Sequence, residues 1–173
     1  LGENVTYSYY DGDVDYDPNY NGSDVNTATG GDPRAVNDYG SDNETLISSA
    51  FDLWDEIVEF DFEEVEETGT TVGEMRVAYT TAGVQYGRAA FAYGPYGSVA
   101  SGDVWFEIAD TDVSGASDFD TAGIDEAGGN YYAALHEIGH AIGLAHPFDS
   151  SASGGTGATL ASTYDTQRYS VMS

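Results

Sequence analysis

His136 to Pro147 reads H-E-I-G-H-A-I-G-L-A-H-P, and its spacing decides how the rest of the chain is read. On a helix, His136 and His140 are four residues apart and project from one face. Two imidazoles so placed can hold one metal ion, and zinc, a borderline-soft ion, favours nitrogen ligands. Glu137 stands beside the first imidazole, where it can take a proton from a water that the metal activates. Gly143 shares the ligand face and is the natural end of the helix, because glycine enters the left-handed conformation at low cost. That turn lets His146 swing back as a third ligand, and Pro147 keeps the helix from resuming.

Every histidine of the protein falls in this stretch, and there is no cysteine to offer a competing zinc site. Five fixed positions arise by chance in a chain this short on the order of once in ten thousand or less. An ordinary buried helix with incidental histidines is the alternative. Leu135, Ile138 and Ile142 do form an apolar stripe, but on a different face from the histidines. The reading is a zinc site with His136, His140 and His146 as ligands and Glu137 as the catalytic group.

A chain of 173 residues, 40% hydrophobic and 13% aromatic, can bury one sizeable core, so a single domain over 1–173 is expected. No apolar run approaches a membrane span, and no membrane insertion is expected. The charge is extreme, with 31 acidic residues against four arginines and a net charge of -27. Such a surface repels nucleic acid and anionic membranes, and its self-repulsion costs stability at low salt. It suits a saline setting or abundant divalent cations. A monomer is expected.

Along the chain, Val5 to Tyr10 is β-branched and aromatic enough for a first strand. Asp11 to Asp17, D-G-D-V-D-Y-D, lacks the glycine and glutamate of an EF-hand; it reads as an acidic solvated loop, with adventitious Ca2+ binding as the alternative. Asn21 to Tyr39 reads as loop. Ser41 and Glu44 form a capping box, and Leu46, Ile47, Ala50, Phe51, Trp54, Ile57 and Val58 trace one apolar face, which predicts a helix from about Asp42 to Glu59. Strands are predicted at Phe60 to Val65, Glu74 to Thr80, Arg88 to Tyr93 and Asp103 to Ile108. Residues 110–130 read as a polar connection in which Asn130 caps the site helix. The order of one strand, a covering helix, several strands and the active-site helix predicts an α+β domain with the sheet on one side of the zinc.

Three features resemble the metzincins, and within them the serralysins. The first is H-E-I-G-H-A-I-G-L-A-H-P, with its proline after the third histidine. The second is Tyr169-Ser170-Val171-Met172-Ser173, which looks like the family's Met-turn. The third, less specific, is Phe60-Asp61-Phe62, Ala89 to Pro95 and Gly102 to Phe106, similar to strands of the N-terminal subdomain. The resemblance implies a secreted zinc endopeptidase with a twisted mixed β-sheet, whose cleft lies between an upper subdomain, about 1–143, and a short lower one, about 144–173. It also implies that Met172 packs beneath the zinc site. A peptide substrate would lie extended along an exposed edge at Ala89, Ala90, Phe91, Ala92 and Tyr93. Serralysins carry a tyrosine two residues after the turn methionine, and this sequence stops one residue after Met172. A catalytic domain lacking its C-terminal part is therefore expected. The rival readings are a non-catalytic zinc-stabilised surface or adhesion module, which has no need of Glu137, and an acidic calcium-binding protein, which has no use for three histidines.

Overall fold

A computed structural model describes residues 4–12, 33–34, 41–69, 71–80, 90–97, 100–107, 129–149 and 159–173. The acidic run after Gly12, the greater part of the polar stretch at 21–39, Arg88, Ala89, Ile108 and residues 110–128 lie outside them. The elements in chain order are β1 (Val5–Tyr9), β2 (Pro33–Arg34), α1 (Ser41–Asp55), β3 (Phe62–Glu64), β4 (Met75–Thr80), β5 (Ala90–Ala92), β6 (Val104–Glu107) and α2 (Gly129–Ala141). This is the expected α+β architecture, a mixed sheet with two helices among the described residues.

The sheet runs β3-β1-β4-β6-β5. β1 lies parallel to both β3 and β4, with Tyr7 opposite Met75, and β4 lies parallel to β6, with Val77 opposite Val104. β5 alone reverses on this path, with Ala90 opposite Phe106, and stands at the end of the sheet. β2 was not expected in a stretch read as loop. Its two residues pair antiparallel with Tyr79 and Thr80, prolonging the side of β4 that β1 covers. Two residues carry no alternation to read, and the end of β4 creates this strand by pairing.

Alternation along the strands divides the core. Tyr7, Tyr9, Val77, Tyr79, Val104 and Phe106 meet Ile47, Ala50, Phe51 and Trp54 of α1 and Ala134, Ile138 and Ala141 of α2. The Tyr7 and Phe51 rings stack with centroids 4.0 Å apart. Ala78 and Trp105 turn to the opposite face and bury with Tyr10 and Ala100. Each fully buried large side chain here contributes about 1.5–3 kcal/mol. Trp54 is a core anchor, and its indole N–H donates to the Leu135 carbonyl at 3.1 Å, joining α1 to α2.

The covering helix ends at Asp55, short of the expected Glu59. Asp55 Oδ1 accepts the Phe62 N–H at 2.7 Å, so the chain folds back into β3. Ile57, which fits the apolar spacing, is consequently 66% exposed. α2 begins at Gly129, which places Asn130 inside the first turn instead of at its cap.

Behind the sheet, Arg76 Nε donates to Glu67 Oε1 at 2.7 Å and Nη2 to Oε2 at 2.6 Å, both side chains being buried. The Ser8 hydroxyl donates to Glu67 Oε1 at 2.8 Å and accepts the Gly73 N–H at 2.9 Å. Gly73 must stay small for this contact, since a Cβ there would stand 2.5 Å from the Tyr7 carbonyl carbon and 2.6 Å from the Ser8 nitrogen. Backbone cannot step aside as a side-chain tip can. Gly73→Ala is therefore expected to cost about 3 kcal/mol or more, a fall in melting temperature on the order of 10 °C. A thermal melt within 2 °C of the parent would contradict this packing.

Candidate metal centre

The helix α2 carries His136 and His140 one turn apart, while Ala134, Ile138 and Ala141 hold its other face in the core. Leu135 and Ile142, expected on the buried stripe, are only half-buried. Gly143 adopts φ +106°, a region that side-chain-bearing residues seldom enter. Its N–H donates to the His140 carbonyl at 2.9 Å, and the Leu144 N–H to the Gly139 carbonyl at 2.9 Å. These two bonds are the Schellman pattern that closes a helix. The next residues therefore leave the axis and bring His146 back over α2.

The result is a convergence of three nitrogens. His146 Nε2 lies 3.1 Å from His136 Nε2 and 3.1 Å from His140 Nε2. His136 Nδ1 is 2.7 Å from the Val171 carbonyl oxygen, and His140 Nδ1 is 2.8 Å from that of Leu144. A carbonyl oxygen only accepts, so both Nδ1 atoms carry the proton and both Nε2 atoms point a lone pair inward. A neutral His146 has at most one proton to offer two such neighbours. The set is short of protons and suited to a cation. Four-coordinate zinc with bonds of about 2.0–2.1 Å spaces its nitrogens roughly 3.3 Å apart, close to what is seen. His136, His140 and His146 are the group among the described residues able to hold a metal ion. Burial lowers the pKa of His140, and burial followed by the His136 charge lowers that of His146, so both favour the neutral ligand form.

A cleft of about 420 Å³ opens on these nitrogens. Glu137 lines it together with the three histidines, Ala90, Phe91 and Ala92 of β5, and Gly94, Tyr96 and Leu144 beyond. Of the expected edge residues, Ala90, Phe91 and Ala92 thus reach the cleft. Tyr93 is not among the residues lining the cleft; its N–H donates to the carbonyl of Asp103, just ahead of β6, at 2.9 Å, and it packs with Phe91 on the second cluster. Ala89 lies outside the described residues.

Met172 is buried, and its sulfur lies so close beneath α2 that a Cβ on Gly139 would meet it at 2.6 Å. The residue before it supplies the carbonyl that orients His136. Tyr132, one turn ahead of His136, was not singled out by the sequence reading. Its hydroxyl donates to that same Val171 oxygen at 2.6 Å, with the Ser173 carbonyl oxygen also within reach at 2.9 Å. The available signal was its i−4 position on the ligand face. Tyr132→Phe is expected to lower stability by about 1 kcal/mol, seen as an earlier urea midpoint with an unchanged slope. An unchanged midpoint would mean that this hydroxyl does not tie the C-terminal turn to α2.

A family model described as matrixin, of peptidase family M10, matches residues 33–169. No curated protein is significantly similar in sequence. Among solved structures the chain is similar to that of myroilysin, at 17% sequence identity and a TM-score of 0.41. That alignment covers 85% of this chain and 50% of myroilysin, so the chain spans half the length of that structure.

Proposed function

Because the chain belongs to the matrixin family of M10 peptidases, we propose that it is a zinc-dependent endopeptidase whose base is Glu137. The observation that carries this reading is the placing of Glu137 in one cleft with three inward-pointing Nε2 atoms. His136, His140 and His146 would hold the ion. When bound, zinc supplies Lewis acidity at a carbonyl oxygen and lowers the pKa of a water to about 7.

Glu137 takes the proton of the attacking water and returns it to the amine nitrogen as the peptide bond breaks. Among the described residues β5 ends the sheet, and on its outer side an extended peptide can form backbone hydrogen bonds. Ala90 and Ala92 are small enough to let that backbone approach. Met172 packs under Gly139 and, through the Val171 carbonyl, keeps His136 aimed at the site. In this reading the protein acts outside the cell, as the likeness to the secreted serralysins implies, and the run H-E-I-G-H-A-I-G-L-A-H-P supports a relation to that subgroup. No helix among the described residues is long and apolar enough to cross a membrane.

The test is hydrolysis of an unfolded protein by the zinc-loaded chain, beside the same chain stripped by a chelator. Cleavage that disappears with the metal and returns on adding zinc is the expected result. Zinc binding without any cleavage would favour the inert, zinc-stabilised surface module instead.

A further inference from the structure

The three histidines are not held alike. His136 and His140 are each pinned by a backbone carbonyl at Nδ1. Among the described residues, His146 Nδ1 has no such partner. What its ring has is Phe148, stacked face to face with centroids 4.8 Å apart and planes 10° from parallel.

Local backbone explains the stack. The Asp149 N–H donates to the His146 carbonyl at 3.1 Å, closing a turn with Pro147 and Phe148 at its centre. Proline suits the first central position, and in this turn the rings of the first and third residues stand face to face. The Pro147 carbonyl is fixed in turn by the Leu160 N–H at 2.8 Å. Phe148 nevertheless stays 55% exposed, so packing in the core does not account for a phenyl ring there.

We propose that Phe148 is the positioning residue for the third metal ligand, its ring face standing in for the hydrogen bond that orients the other two imidazoles. This rests on the three-histidine site proposed above. The π-face is electron-rich and attracts positive charge. An imidazole that gives its lone pair to a cation becomes electron-poor, so the stack is stronger in the metal-bound state than in the free one. Phe148 therefore acts on metal affinity and very little on folding of the free chain.

The experiment is zinc titration of the full chain against a chromophoric chelator, with cobalt absorption as a second readout. Phe148→Ala and Phe148→Leu are both expected to bind zinc about tenfold more weakly and to shift the cobalt bands. Phe148→Trp, which keeps a flat ring, is expected to restore both, and all three metal-free melts should match the parent. Unchanged affinity in Phe148→Ala would overturn the proposal, as would full affinity in Phe148→Leu, which would assign the effect to apolar cover. A parent chain that binds no zinc would instead overturn the metal site itself.

Discussion

Glu137→Gln is expected to abolish measurable proteolysis, a loss of about 10²–10⁴-fold in turnover, while zinc stoichiometry and affinity stay at parent values. The amide has nearly the shape of the carboxylate and stands in the same cleft, but it cannot accept the proton of a water molecule. None of the three converging nitrogens belongs to Glu137, so removing its charge leaves the donor set intact. Hydrolysis of an unfolded protein, run beside a zinc titration of the same preparation, separates the two quantities. Turnover at the parent level would sink the role given to Glu137. Loss of zinc together with activity would mean that the carboxylate holds the metal.

His146→Ala should act on the other quantity. Two helix-borne imidazoles remain, but the ligand that closes the site from the far side of Gly143 is gone. Zinc affinity is expected to fall by more than about 100-fold, exceeding the usual effect of losing an orienting partner. At a zinc concentration about 100 times the parent dissociation constant, the stabilisation lost is about 2.7 kcal/mol, roughly 5–10 °C in melting temperature. The metal-free melts of parent and variant should coincide, because His146 is only half-buried outside the core. Equal zinc affinity in the two proteins would exclude His146 as a ligand.

The two strongest local signals in the sequence proved sufficient for what they describe. Helical spacing identified the ligand face of α2 and the buried face of α1 as far as Trp54, because periods of three and four residues are properties of the helix itself. Gly143 marked the end of α2, because a positive φ is a local requirement that glycine meets most easily. The family followed from the one run His136 to His146, and the proposals of zinc and of Glu137 as base rest on that same run.

Contacts between distant segments were not legible in the same way. The stop of α1 at Asp55 depends on a hydrogen bond to Phe62, and β2 exists only by pairing with the end of β4. The tautomer of His136 is set by the Val171 carbonyl, 35 residues along the chain, and that carbonyl is shared with Tyr132. Spacing places side chains on a face, and this is all that the sequence by itself determined about the site. Which carbonyl meets which nitrogen, which edge walls the cleft and which ring backs His146 were decided by the tertiary structure, because hydrogen bonds and ring contacts need ångström-scale approach between segments whose separation no local pattern encodes.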